Sequence, residues 1–337
     1  MTSPSILVIK HGALGDIVIA TAGFAAIRAK HPHAHIVCLT TKPYADLLSK
    51  SPYFNEVWVD EKPKFFQFGA RKKLRIMLCS KPWEWVYDLQ TSTRSTSYQW
   101  LLKWPWPSIS NVSRWSSHRY VDPARHGKHS YENLKIQLAL ADIQNIGLPD
   151  VSWLKADVSE IIPPTSGGRL GGGHGDALNP TMPPPQPSPI GGGSQYALIV
   201  PGGAPHRLDK RWPAESYAQL CQTFIHKNIA PLLIGTKAEE DALNAIAAQV
   251  PEAINLCGAT SIAQIITLAG QAKLAVGNDT GPMHLIAASG CPSTVLFSAA
   301  SDPVRSAPVG DHVRILRESN LKDLSVDSVL ASLTDRL

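Results

Sequence analysis

The sequence predicts an α/β protein: two doubly wound, parallel-sheet domains joined by a linker. Three observations predict it. Apolar runs rich in Val and Ile alternate with helical periods through residues 6–147 and again through 196–299, the rhythm of parallel strands with crossover helices. Between the two halves, residues 163–194 hold seventeen glycines and prolines in 32 positions, a composition that no packed element tolerates. The length of 337 residues exceeds one ordinary core and suits two. The expected division is therefore 1–162, a Gly/Pro-rich linker or insertion over 163–194, and 195–337.

The elements follow in order. "ILVIK" (6–10) reads as a buried strand, followed by the helix "IVIATAGFAAIRAKHP" (17–32). "HIVCLT" (35–40), a helical "KPYADLLSKS" (42–51), "EVWVD" (56–60), a basic helix over 71–79 and "WEWVYDLQ" (83–90) continue the alternation. A long helix over 130–147 closes the first domain. In the second, "YALIVPGGAP" (196–205) is a strand running into a Gly/Pro loop, and 213–228 is a helix with Pro213 near its start, where its fixed φ suits the first turn. Strands at 230–235, 253–258, 273–279 and 293–299 then alternate with helices at 238–251, 261–272 and 282–290. In sheets of this kind ligands bind beyond the carboxyl ends of the strands, and two such domains facing each other put the site in a cleft.

Composition removes several function classes. The chain is 44% hydrophobic and 18% charged, as a globular protein is. It has no run of eighteen apolar residues and no basic-then-apolar leader at its start, so neither a membrane span nor a signal peptide is expected. Five scattered cysteines without a CxxC pair read as small buried residues of a reduced compartment, the cytoplasm. No metal-ligand cluster and no cofactor is expected. The net charge of +5 is unevenly placed: residues 62–81 carry seven Lys/Arg and no acid. Residues 100–128 interleave Trp100, Trp104, Trp106 and Trp115 with Lys103, Arg114, Arg119, Arg125 and Lys128. This is either a solvated basic face or a surface for an anionic partner, and the tryptophans favour a membrane interface over nucleic acid.

The chemistry concentrates in three loops. "HGALGD" places Asp16 after a glycine loop, where a helix begins and where an anion would ordinarily bind. Asp16 either caps that helix or does chemistry while the anion binds elsewhere. "GNDTGPMHL" ends a strand in a tight loop before Pro282. There Thr280 and Gly281 offer a hydroxyl and backbone N–H groups to an anion at the positive end of a helix, with His284 supporting the loop. The bland alternative is that Asp279 and Thr280 only cap it. "PGGAPHRLDKRWPAE" sets Gly202 and Gly203, which let a ligand approach the backbone, ahead of Lys210 and Arg211. A lysine there neutralises charge on a departing diphosphate, unless it is plain surface charge.

Together, "KHGALGD", "DKRWPAE" and "GNDTGPMHLIAASGCP" resemble the three signature segments of the ADP-heptose:lipopolysaccharide heptosyltransferases, glycosyltransferase family 9, in the family's order and spacing. The resemblance implies a GT-B fold of two Rossmann-like domains with the donor held mainly by the C-terminal one. It implies metal-independent, inverting transfer of heptose from ADP-heptose to a sugar of the lipopolysaccharide core. By the same resemblance Asp16 is the general base, Lys210 and the Thr280–Gly281 loop hold the donor diphosphate, Asp279 binds heptose hydroxyls, and Glu239 contacts the ribose. Gly12 and Gly15 would then admit the acceptor sugar to Asp16. Arg71, Lys72 and Lys73 would face the acidic core and lipid A, with the protein peripheral to the inner membrane of a Gram-negative bacterium. The sequence departs from the family in its long linker and in the glycines at 202–203, where some members offer hydroxyls.

Rivals are a related transferase using another nucleotide sugar, a sugar-nucleotide 2-epimerase, and a non-catalytic nucleotide-sugar binder. An NAD-dependent oxidoreductase is disfavoured, because "GALGD" lacks GxGxxG and no acid falls in the ribose position some twenty residues on.

Overall fold

The computed structural model describes residues 3–64, 66–161, 195–203 and 211–337. The expected linker and Lys210 lie outside the described residues.

The first sheet contains β1 (Ser5–Ile9), β2 (His35–Thr40), β3 (Glu56–Val59), β4 (Trp83–Asp88), β5 (Ser108–Asn111) and β6 (His118–Arg119), in the order β3-β2-β1-β4-β5-β6. Every pairing in it is parallel. The helices α1 (Leu14–Lys30), α2 (Lys42–Ser49), α3 (Phe68–Leu78), α4 (Thr93–Ser97) and α5 (Ser130–Ala139) connect or flank these strands. The central strands read as continuous apolar runs because they are covered on both faces: Leu7, Ile9, Val37, Leu39, Val86 and Ile109 form one core with Leu74 and Leu78 of α3.

The second sheet contains β7 (Gln195–Val200), β8 (Ile229–Leu233), β9 (Ile254–Asn255), β10 (Leu274–Asn278), β11 (Ser293–Phe297) and β12 (Val313–Arg317), in the order β12-β11-β10-β7-β8-β9. With it come α6 (Ala214–His226), α7 (Glu240–Gln249), α8 (Ile262–Ala269), α9 (Gly281–Ala288), α10 (Pro303–Ser306) and α11 (Val326–Ala331). Counted from the start of each half, both sheets have the same order, 3-2-1-4-5-6, which is the doubly wound α/β order. Each therefore reverses direction between its first and fourth strands: between β1 and β4, and between β7 and β10.

By contacts the chain forms two compact units. The first comprises Met1–Leu154 together with Thr280–Gly290 and Ser301–Ile315; the second comprises Lys155–Asp279, Cys291–Ala300 and Leu316–Leu337. Helix α9 thus groups with the first unit although it follows β10 in the chain.

Several element boundaries depart from the expectations. The helix expected over 130–147 stops at Ala139. Asp142 takes a left-handed φ of 56°, and the N–H groups of Ile143 and Asp142 bond back to the carbonyls of Leu138 and Ala139, which ends the helix in a Schellman turn without a glycine. Strands β5 and β6 lie inside the stretch read only as a basic, tryptophan-bearing surface. The strand expected over 253–258 is the two-residue β9.

Candidate active site

In the first unit the carboxyl end of β1 is pinned from three sides. The His11 N–H donates to Gln90 Oε1 at 3.0 Å, and Thr41 Oγ1 donates to the His11 carbonyl at 2.9 Å. The buried His11 ring places Nε2 3.0 Å from Asp60 Oδ2, whose carboxylate also accepts the Tyr98 hydroxyl at 2.5 Å. Burial pushes Asp60 up, but the hydrogen bonds from His11, Tyr98 and the Lys62 N–H outweigh it and hold the carboxyl below its ordinary value. Gly12 follows with φ +93°, and the space that its missing side chain leaves is filled by the Tyr44 ring.

Helix α1 begins from Ala13, its N-cap, so Asp16 sits in the first turn and its side chain does not cap. Of the two readings of Asp16, capping is not the one adopted. The carboxylate is half-buried at the positive end of the helix, and its field reaches two neighbours. Burial lowers the pKa of Lys10, with Asp16 and Asp88 pulling the other way; burial and then Asp16 raise that of Tyr44. Lys10 Nζ donates to the Leu89 carbonyl at 3.2 Å. At the end of β4, across the switch point, Asp88 is fully buried and its carboxyl is pushed up to about 6 by burial, despite accepting the Gln90 and Thr91 N–H groups at 3.1 Å.

The same unit brings α9 to the start of α1. A side chain at Gly15 would meet the His284 ring at 2.8 Å, and one at Gly281 would meet Leu14 at 3.1 Å. The two helix N-termini approach closely because both carry glycine at the contact. Thr280 is the N-cap of α9 by backbone geometry, with φ −144°, but its hydroxyl makes no capping bond. That Oγ1 is buried and has no partner among the described residues. Of the bland alternative for this loop, the part that rests on a side-chain cap by Thr280 is therefore absent.

In the second unit the hub is Asn278, the last residue of β10, fully buried. Its Nδ2 donates to the carbonyls of Pro201 and Gly202 at 2.8 and 3.1 Å, and its Oδ1 accepts the Trp212 N–H at 3.2 Å and the Tyr217 hydroxyl at 3.0 Å. One side chain thus ties the β10 end, the glycine loop after β7 and the lead into α6. Gly202 is covered by Glu239: a side chain there would meet its Cγ at 2.7 Å. Glu239 Oε2 is engaged by the Thr236 N–H and hydroxyl at 2.8 and 2.6 Å in a capping box, so one carboxylate oxygen already has a structural task. Arg211 reaches back to the Gly203 carbonyl at 2.6 Å. Asp279 is half-buried, its N–H bonded to Leu296 O at 3.1 Å.

Arg71 is half-buried and Lys72 and Lys73 are exposed, all on α3. No group of three metal-ligating side chains occurs among the described residues, and no described helix is long and apolar enough to cross a membrane. The roles of His11, Asp60, Asp88 and Asn278 are not apparent in the sequence reading. The available signal was a polar residue closing an apolar run, as in "EVWVD", "WVYDL" and "LAVGN".

Two Rossmann-type sheets of identical order, each with a glycine loop at its switch point, make this a GT-B protein. Residues 179–331 match the family model described as glycosyltransferase family 9 (heptosyltransferase). The chain is 25% identical over 329 residues to lipopolysaccharide heptosyltransferase 2 of Escherichia coli, covering 93% of this chain and 87% of that one. A family 9 glycosyltransferase of Veillonella parvula superposes with a TM-score of 0.78 at 16% identity, over 99% of this chain and 97% of that one. The E. coli ADP-heptose lipopolysaccharide heptosyltransferase II structure superposes at 0.72 and 22% identity, over 98% of both. The chain is a glycosyltransferase: residues 179–331 match family 9, and over most of its length it is similar to lipopolysaccharide heptosyltransferases.

Proposed function

We propose that the protein is an inverting, metal-independent transferase that moves heptose from ADP-heptose to a sugar of the lipopolysaccharide core. The observation that supports it most is the packing of the α1 and α9 N-termini against each other. It brings the Asp16 turn and the uncapped Thr280 hydroxyl into one compact unit through Leu14, Gly15, Gly281 and His284. In this reading the Asp16 carboxylate takes the proton from the acceptor hydroxyl, whose oxygen attacks the anomeric carbon of the donor. The bond from that carbon to the diphosphate breaks, and ADP leaves with the electron pair. The positive end of α9, the Thr280 hydroxyl, the Gly281 N–H and Lys210 meet the charge that builds on the leaving oxygens. Asp279 binds the heptose hydroxyls, and Glu239 reaches the ribose with the oxygen that its capping box leaves unused.

Gly12 and Gly15 have a packing reason in Tyr44 and His284. In this reading the acceptor reaches Asp16 along the backbone of the Gly12–Gly15 loop, whose missing side chains make room for those two rings. The acceptor's phosphates and acidic sugars meet Arg71, Lys72 and Lys73 in this reading. The first unit also exposes large apolar side chains among basic ones: Phe68 is 75% and Trp104 83% exposed. That combination suits the headgroup region of an anionic bilayer, and supports a cytoplasmic enzyme peripheral to the inner membrane of a Gram-negative bacterium.

The test is calorimetric titration with ADP, UDP and GDP, with and without magnesium. Binding selective for ADP and indifferent to magnesium is the expected result. Preference for UDP or GDP would keep the glycosyltransferase and overturn the heptose donor. ADP binding without turnover on any heptose-deficient core acceptor would favour a non-catalytic sugar-nucleotide binder.

A further inference from the structure

We propose that Arg211 is a ligand of the donor's diphosphate, an assignment that rests on the nucleotide-sugar reading above. The glycine loop after β7 offers no side-chain donor of its own at Gly202 or Gly203. Arg211 lies across that loop: a side chain at Gly203 would sit 3.4 Å from its Cγ and 3.5 Å from its Nε. Its Nη2 donates to the Gly203 carbonyl at 2.6 Å. Its Nε is buried and, among the described residues, has no acceptor. A cationic N–H left unpaired in a buried position is costly, and proteins retain such groups at sites where an acceptor arrives.

The chemistry of that acceptor follows from the fork. A guanidinium presents several N–H groups in one plane, matched to the paired oxygens of a phosphate, and one of them is spent on Gly203. Small rotations about the last side-chain torsions exchange that single bond to a neutral carbonyl for charge-assisted bonds to phosphate oxygens. The stem stays where it is, because Asn278 holds both ends of the arrangement. It grips the Gly202 carbonyl on one side and the N–H of Trp212, the residue after Arg211, on the other. Glu239 flanks the same loop at Gly202, so the loop is bracketed by a carboxylate suited to hydroxyls and a guanidinium suited to phosphate.

The test compares ADP with AMP, since a diphosphate ligand discriminates between them and a merely structural arginine does not. In R211M, of similar length but without charge, the dissociation constant for ADP is expected to rise roughly 10- to 100-fold, with that for AMP changing no more than about threefold. R211K, which keeps the charge and loses the fork, is expected to fall between. Thermal melts of all three proteins establish that the fold is retained. Equal weakening of ADP and AMP would overturn the assignment and leave Arg211 a brace for the Gly203 carbonyl. Wild-type affinity for ADP in R211M would overturn it as well, with the donor reading intact. If the wild-type chain bound neither ADP nor inorganic pyrophosphate, the donor reading and this assignment would fail together.

Discussion

Asp16 and Thr280 occupy the two positions where a capping side chain would be unremarkable, and neither caps. Ala13 holds the N-cap of α1, and the Thr280 hydroxyl is buried without a partner among the described residues. The two glycines nearby are as constrained as the polar groups. Gly15→Ala would drive a methyl to 2.8 Å from the His284 ring, and overpacking of this kind typically costs about 1–3 kcal/mol. Urea denaturation is expected to register that loss, and turnover to fall with it, because the same contact joins α1 to α9; unchanged stability would contradict the packing. Asp88 gives a prediction with a sign in pH. Burial pushes its carboxyl up to about 6, so the folded protein keeps a proton that the unfolded chain releases from pH 3.8 upward. Stability at this site is therefore present at low pH and lost as pH rises through 6, where ionised Asp88 costs on the order of 3 kcal/mol. Asp88→Asn, which keeps an oxygen for the Gln90 and Thr91 N–H groups, is expected to melt above wild type at pH 8. The difference should close near pH 4, and a gap of the same size at both pH values would refute the account.

At the scale of elements, the regular alternation was legible and the long-range devices were not. β2 (His35–Thr40) matches its expected bounds, since an apolar run between a turn and a helix start needs no tertiary information. α5 ended early because the left-handed turn at Asp142 depends on backbone bonds that no residue type announces. β5 and β6 were hidden by their shortness and by the Trp/Arg composition around them. In the site, the glycine loops and the acid after each were visible as local strings. Asn278 was not, because its partners Pro201, Gly202, Trp212 and Tyr217 lie 61 to 77 residues away. Asn278→Ala leaves two carbonyls, an N–H and a hydroxyl unpaired in a buried place. By the ordinary cost of such groups, it is expected to destabilise the protein by roughly 3 kcal/mol or more. Tyr217→Phe, which removes one bond of the four, is expected to cost about 1 kcal/mol. Chemical denaturation of the two variants orders them, and equal costs would mean that Asn278 is not a hub.

At the scale of the whole molecule, the net charge of +5 matters less than its concentration on the first unit with exposed aromatic side chains. Juxtaposed basic residues contribute about 1 kcal/mol each at an anionic bilayer, so reversing Arg71, Lys72 and Lys73 together is expected to lower vesicle binding at least 100-fold. Co-sedimentation with vesicles rich in anionic lipid reads this directly, and unchanged binding would show the face to be merely solvated. Raising the salt should weaken the wild-type interaction in the same direction.

The measurement that bears most directly on the account is turnover by Asp16→Asn with ADP-heptose and a heptose-deficient core acceptor, beside its affinity for ADP. Asparagine keeps the size and the hydrogen-bonding oxygen and cannot take the proton. A fall in kcat of roughly 10²- to 10⁴-fold is expected, with ADP affinity and melting temperature close to wild type. Turnover within a few-fold of wild type would contradict it and return Asp16 to a purely structural place in the first turn of α1.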